Sequence, residues 1–359
     1  MFNIELIVIF PLITAFIATA VATPLSLIFI KKFGIIDDPN QHKHPAIIHK
    51  KPIPRAGGIP LFIGVLIAGI IFLPVEKITI AIFAASFICL ITGVLDDKFD
   101  ISPYFRFLIN IIAAVIVIFA GVNIPFITNP FGGILFLNSL HIPFLGIIEL
   151  NFISYIIAII WIVWVINMLN WSKGVDGQMP GIVAISAIII GILSLRFPVL
   201  DYYSLMSATL SFIIAGASLG FLVFNFYPAR IFPGYGATAI YLLLAVTSIL
   251  SGAKLATAIL VMGVPMADGA FTILRRILTG HSPFWHDKKH LHHLLLTLGF
   301  GQRRIALFYW IISAILGAIS LILSSKGKLF AIIMLIIIAG GVISFLHFFI
   351  NRTNDKTSI

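Results

Sequence analysis

Eleven stretches of this 359-residue chain are apolar over roughly the length of a membrane-crossing helix, and they decide the solvent in which it folds. They lie near 5–30, 57–75, 77–95, 104–122, 153–169, 181–196, 204–224, 236–250, 254–274, 304–324 and 327–350. Crossing the hydrocarbon core takes about 20 mostly apolar residues, because lipid offers no partner to an unpaired backbone group. Several runs fall short of that, which leaves ten crossings as the neighbouring count. The expected fold is an all-α integral membrane protein of about eleven transmembrane helices, a single polytopic domain over 1–359. A composition of 60% hydrophobic and 10% charged residues excludes a soluble globular enzyme, a disordered chain and a fibrous repeat. The start MFNIELIVIFPL has neither a basic leader nor a small-residue cleavage site, so it reads as an uncleaved first span. The single cysteine, Cys89, lies in an apolar run and offers no disulfide framework.

The basic residues set the orientation. With the N-terminus outside, 18 of the 23 Lys and Arg fall on cytoplasmic connections or the tail; only Lys77, Arg196, Lys254, Lys326 and Lys328 remain outside. This is the positive-inside pattern, and it predicts an outer N-terminus and an inner C-terminus. The net charge of +10 thus reports topology and calls for no nucleic-acid partner. No inverted repeat of the kind that marks a transporter is visible.

Ionisable residues at the edges of spans are costly and usually functional. Five such clusters occur, all on the predicted inner side. GVLDDKFD carries Asp96, Asp97 and Asp100; adjacent carboxylates repel unless a cation or proton compensates, so one suits a divalent ion and the other a proton. In NMLNWSKGVDG, Asn167 and Asn170 lie one helical turn apart and Gly174 and Gly177 bracket Asp176, a pattern for sugar, phosphate or cation. In NFYPARIFPGYGAT, Asn225 ends a span, and Gly234-Tyr235-Gly236 before Thr238 turns backbone amides toward an anion. The stretch RRILTGHSPFWHDKKHLHH gathers Arg275, Arg276, Lys288 and Lys289 with His281, His286, His290, His292 and His293. His290 and His293 share a helix face and His292 points elsewhere; a diphosphate fits this basic set better than zinc does. The segment from Asp37 and Asp38 through His49 to PRAGG adds Lys43, Lys50, Arg55, Gly57 and Gly58 at the membrane surface. Asp268, inside the ninth run, requires a partner, and Arg275 or Arg276 is the expected one. Plainer readings stay open for each: a solvated helix end, a glycine C-cap, an ordinary short loop, positive-inside charge or nonspecific headgroup attraction. Together the clusters describe an inward-facing polar cleft where a charged cytosolic donor meets a lipid-borne phosphate.

Taken in order, PIPRAGG (52–58), GVLDD (93–97), NMLNWSKGVDG (167–177), GFLVFNFYPARIF (220–232), DGAFTILRRILTGHSPF (268–284) and DKKHLHHLLL (287–296) resemble the polyprenyl-phosphate N-acetylhexosamine-1-phosphate transferases. The phospho-N-acetylmuramoyl-pentapeptide transferases are a sister branch. The resemblance implies transfer of a sugar 1-phosphate from a UDP-N-acetylhexosamine to polyprenyl phosphate, release of UMP, and the start of a cell-envelope polysaccharide at the inner membrane. It implies Mg²⁺ or Mn²⁺ as cofactor and a homodimer as a possible assembly. By that likeness Asp96, Asp97 and Asp176 are catalytic, with Asp97 and Asp176 on the metal. Asn167, Asn170, Lys173, Asn225, Arg275, Arg276, His290, His292 and His293 bind substrate. The pattern departs from the family at two charges: Tyr235 stands where a metal-binding aspartate is usual, and Lys173 where an acid is usual. Arg106 takes the place of the usual lysine after the aspartate pair. A phenol is a poor magnesium ligand, and losing two negative charges weakens divalent binding. The alternative reading is a homologue that binds lipid phosphate or nucleotide sugar with impaired turnover.

Overall fold

The protein is seen here in a computed structural model that describes residues 4–39, 49, 51–129, 132–138, 141–144, 148–196, 201–250, 255–285 and 287–357. Lys43, Lys50, Lys254 and His286 lie outside the described residues. Each of the eleven apolar runs coincides with helix. Among the described residues, six helices are long and apolar enough to cross a membrane: Glu5–Lys32, Lys77–Phe99, Phe152–Trp171, Tyr202–Asn225, Gln302–Ile322 and Ser325–Ile350. By length alone, six or seven crossings are shown among the described residues. Four runs form shorter apolar helices, Gly58–Phe72, Pro103–Phe119, Gln178–Ser194 and Tyr235–Leu250. A helix of 15 residues reaches only about 22 Å, short of a hydrocarbon core of about 30 Å. The ninth run is broken: Leu255–Val261 and Gly263–Leu278 meet at 85°. Gly263 and Pro265 lie at the start of the second piece, where proline's missing N–H costs no helical bond.

In chain order the helices are α1 (Phe10–Lys32), α2 (Gly58–Phe72), α3 (Lys77–Phe99), α4 (Pro103–Phe119), α5 (Phe152–Trp171), α6 (Gln178–Ser194) and α7 (Tyr202–Asn225). Then come α8 (Thr238–Leu250), α9 (Leu255–Val261), α10 (Gly263–Leu278), α11 (Leu291–Thr297), α12 (Gln302–Ile322) and α13 (Ser325–Thr357). The all-α expectation missed three small antiparallel ribbons. Two occupy the connection before α5, pairing Phe126–Thr128 with Ile134–Phe136 and His141–Phe144 with Ile148–Asn151. The third pairs Ile36–Asp37 with Ile53–Pro54 and leads directly into Arg55.

The bundle is inverted relative to a soluble protein. Ile13, Ile17, Val21, Leu25 and Ile28 follow a spacing of three and four along α1 and are all exposed, a stripe suited to lipid. The centre is α8, buried from Thr238 to Ile249. Between lipid-embedded helices, close backbone approach replaces hydrophobic drive, and small residues permit it. On α7, Gly216 and Gly220 do this: a Cβ would come within 2.0 Å of the Leu12 carbonyl oxygen and 2.5 Å of that of Phe16, both on the N-terminal part of α1. Trp161 on α5 donates to the Ser248 hydroxyl on α8 at 2.9 Å. This packing brings the connections after the first, third, fifth, seventh and ninth runs to one end, where the polar clusters meet.

Candidate active site

The corner between α3 and α4 is built by Asp96. Asp100 ends α3 in the left-handed region (φ 50°), and Pro103 starts α4 in a position that needs no donor. The turn folds α4 back so that Arg106 Nη1 meets both Asp96 oxygens at 2.9 Å, while Ile101 N–H donates to Oδ1 at 3.1 Å. Asp96 is thus occupied by structural partners.

Asp97 is arranged differently. Its Oδ1 accepts the Tyr235 N–H at 2.9 Å and faces Arg55 Nε at 3.4 Å. Its Oδ2 is buried with no hydrogen-bond partner. The amide that the glycine loop was expected to aim at an external anion is therefore taken by an internal carboxylate. The loop reaches Asp97 because glycines let backbone lie on backbone. A Cβ on Gly58 or on Gly93 would stand 2.2 Å from the Gly236 main chain, and one on Gly234 (φ 65°) would stand 1.9 Å from Asp97 Oδ2. PRAGG is the floor of this loop: the Gly57 and Gly58 N–H groups donate to the Phe232 and Pro233 carbonyls at 2.9 Å. Arg55 is tied down by its own N–H to the Ile35 carbonyl at 3.0 Å and also faces Asp37 at 3.8 Å.

Lys173 enters the same cluster from the turn after α5. Its Nζ donates to the Gly234 carbonyl at 2.8 Å and lies 5.8 Å above the Tyr235 ring; the Arg106 guanidinium sits 4.9 Å from that ring. The Tyr235 hydroxyl accepts from Asn110 on α4 at 3.0 Å. Burial pulls the Lys173 ammonium down to about 8, against the opposing pull of Asp97. Next along the turn, Asp176 Oδ2 accepts from the Ala229 N–H at 2.9 Å, and its own N–H donates to Gln302 at the head of α12 at 3.1 Å. Desolvation raises the Asp176 carboxyl, with the Ala229 bond opposing it. Asn225 clamps the turn, accepting from the Gly177 N–H at 3.1 Å and donating to the Ile231 carbonyl at 2.8 Å.

The histidine loop is anchored on Asp268, whose expected arginine partner is corrected here. Its Oδ2 meets His290 Nδ1 at 2.8 Å, and its Oδ1 accepts the first N–H of α11, from Leu291, at 2.8 Å. The arginines turn instead to Asp287: Arg275 Nη2 at 2.8 Å and Arg276 Nε at 3.0 Å. Burial alone would raise Asp287, but the Lys289 N–H and the two guanidiniums hold it down at about 2. Its ionised form therefore stabilises the fold above its ordinary value of 3.8, and that stabilisation disappears as pH falls toward 2. The expected result is that wild type unfolds at a higher temperature than Asp287→Asn at pH 5, and that the gap closes on acidification, followed by fluorescence melts in detergent. His290 caps α11 in extended backbone rather than lying on the helix, so all three histidines share one space. His292 packs against Gly174, where a Cβ would stand 1.9 Å from Nε2. Burial and the neighbouring imidazoles lower His292 well below 6.5; burial with His290 and Lys288 takes His293 to about 4. Near neutrality these two are uncharged, each with one ring N–H to donate.

These segments enclose one cavity of about 630 Å³. Asp96, Asp97, Asn170, Lys173, Asp176, Asn225, Arg276, His290, His292 and His293 all line it. Two expected substrate contacts do not. Asn167 turns back to the Val163 carbonyl on its own helix at 2.8 Å, and Arg275 faces Lys289, His347 and Asp287. Sequence reasoning left Arg106 and Arg55 out of the site residues, although the cavity includes both. An arginine two positions before a paired glycine, on a connection predicted to lie on the same side as the aspartate pair, was the available signal for Arg55.

Residues 79–252 match the model of glycosyl transferase family 4. A probable undecaprenyl-phosphate N-acetylglucosaminyl 1-phosphate transferase of Bacillus subtilis is 31% identical, across 90% of this chain and 88% of that protein. The decaprenyl-phosphate N-acetylglucosaminephosphotransferase of Mycolicibacterium smegmatis is 30% identical, across 88% and 82%. The undecaprenyl-phosphate alpha-N-acetylglucosaminyl 1-phosphate transferase of Haemophilus influenzae is 31% identical, across 86% and 83%. The chain belongs to glycosyl transferase family 4. It is a membrane protein of the phosphoglycosyltransferase type.

A family 4 site is expected to hold Mg²⁺ or Mn²⁺, and the donor set can be weighed against that. Among the described residues no three His, Cys, Asp or Glu side chains gather as a metal cluster. Asp96 is spent on Arg106, Asp176 accepts a backbone N–H, and Asp97 offers one open oxygen beside Arg55. The Tyr235 phenol is turned to Asn110, and Lys173 contributes an ammonium. Hard divalent ions take several oxygen ligands and favour negative surroundings. The residues present do not fit such an ion, and no chemical step is assigned to one.

Proposed function

We propose that this chain transfers a sugar 1-phosphate, of the N-acetylhexosamine class, from a UDP-sugar to polyprenyl phosphate and releases UMP. The observation that carries the reading is the cavity into which four separated segments bring Asp97, Lys173 with Asp176, Arg276 and the histidines. The named relatives act on undecaprenyl or decaprenyl phosphate, and a lipid acceptor suits a cavity at the end of a lipid-embedded bundle. In this reading the chain crosses the membrane eleven times as one domain, N-terminus out, with the cavity at the cytoplasmic face of the inner membrane. The positive-inside distribution supports that orientation. The product starts a cell-envelope polysaccharide.

The step balances without a redox partner. An acceptor phosphate oxygen attacks the donor β-phosphorus; a P–O bond to the lipid forms as the bond to the bridging oxygen breaks. That oxygen keeps the electron pair and leaves on UMP. A dianionic acceptor needs no proton transfer, and a monoanionic one gives its proton to Asp97 Oδ2, the open oxygen of the pair. Arg55, Lys173 and Arg276 offset the charge spread over the phosphoryl oxygens, and neutral His292 and His293 donate N–H groups to the donor.

The test is UMP release by purified protein given undecaprenyl phosphate and a panel of UDP-sugars. The expected result is release that needs the lipid and is strongest with a UDP-N-acetylhexosamine. Retained nucleotide-sugar binding with no UMP from any donor would support the binding-only homologue.

A further inference from the structure

Lys173 and Tyr235 form a pair that the ordinary chemistry of such a site does not explain. The ammonium is fixed from two sides, by the Gly234 carbonyl at 2.8 Å and by the face of the Tyr235 ring at 5.8 Å. The ring's other cation is Arg106, at 4.9 Å. An aromatic face attracts both cations and spaces them, so a tyrosine allows the two positive charges to share this corner. Lys173, Arg55 and Arg106 face Asp96 and Asp97 here, and Arg55 also faces Asp37 at 3.8 Å. A divalent ion beside Tyr235 meets a phenol and the Lys173 ammonium in place of carboxylates, whereas a diphosphate meets attraction from that ammonium. An ammonium also has three donors, and Gly234 takes one of them.

We propose that phosphoryl transfer on this chain runs without a divalent cation, the Lys173 ammonium supplying to the donor diphosphate the fixed positive charge that a metal would bring. The inference rests on the transfer reaction proposed above and specifies its electrostatics. A tethered cation is already oriented when substrate arrives, which is the condition under which charge stabilisation is most effective. Tyr235 serves as a positioning residue, holding the ammonium against the loop and filling the space of a ligand.

Two measurements test this. In excess EDTA, UMP release from UDP-N-acetylglucosamine and undecaprenyl phosphate is expected to stay within about twofold of its rate with Mg²⁺. Electron paramagnetic resonance titration with Mn²⁺, with UDP-N-acetylglucosamine present, is expected to show no bound ion beyond that held by the nucleotide alone. The double variant Lys173→Asp/Tyr235→Asp, which restores two carboxylates, is expected to gain a Mn²⁺ site whether or not it turns over. Loss of wild-type activity in EDTA with recovery in Mg²⁺ overturns the inference. So does wild-type protein that binds Mn²⁺ as well as the double variant does. If no UDP-sugar yields UMP with or without metal, the transfer reading is what fails, and the Mn²⁺ titration still decides the role of Lys173. Should the double variant not fold, the wild-type titration is decisive by itself.

Discussion

Asp97→Asn is expected to lower UMP release by about 10²–10⁴-fold while leaving the protein folded. Asparagine keeps the shape and keeps an oxygen for the Tyr235 N–H, which Asp97 accepts at 2.9 Å. The negative charge that Arg55 faces at 3.4 Å, and that opposes the positive charge of Lys173, is gone. Unbalanced, those cations shift toward solvent or toward Asp96, and the open oxygen that would accept a proton becomes an NH₂ group, which cannot. The loss should fall mainly on kcat, with UDP-sugar affinity held by Arg276 and the histidine loop. Unchanged kcat in Asp97→Asn would remove this carboxylate from the chemistry. Asp96→Asn separates the two roles. Its oxygens are bound to Arg106 and the Ile101 N–H, so its effect should appear first in thermal stability.

Asp268→Ala is expected to destabilise the protein by about 3–5 kcal/mol and to abolish donor binding, because one buried carboxylate carries two partners. It holds His290 at 2.8 Å and the first backbone N–H of α11 at 2.8 Å. Without it the N–H is left unpaired, and His290 loses the contact that seats it beside Trp171 and His292. Melting in detergent reads the first effect and UDP-sugar affinity the second. A variant as stable and as tight-binding as wild type would show that the loop is held by other contacts.

How far the sequence spoke depends on the range of each interaction. The apolar runs were legible because lipid punishes polar backbone wherever it occurs, and each run is helical. Their lengths were less legible: the break at Met262–Gly263 depends on how α9 and α10 pack, and periodicity does not carry that information. The aspartate pair was visible as chemistry, but its two members could not be told apart. Asp96 is captured by a residue ten positions on across a turn, and Asp97 by a loop 138 positions away. Asp268 looked toward arginines on its own helix because those are neighbours in sequence. Its real partners lie 22 and 23 positions on, in a loop whose path is set by Asp287. Asn167 shared a helical spacing with Asn170, yet only Asn170 lines the cavity. The glycines of PRAGG read only as members of a cluster at the membrane surface, while the structure uses them as a floor against Gly236.

The central claim concerns which bond is broken. Purified protein in bilayers is given undecaprenyl phosphate and UDP-N-acetylglucosamine labelled in turn at the α- and the β-phosphorus. The account predicts that the β-label moves to the lipid and the α-label leaves as UMP, in both cases dependent on Asp97. A β-label that stays with the nucleotide as UDP, or that never reaches the lipid with any donor, would contradict it.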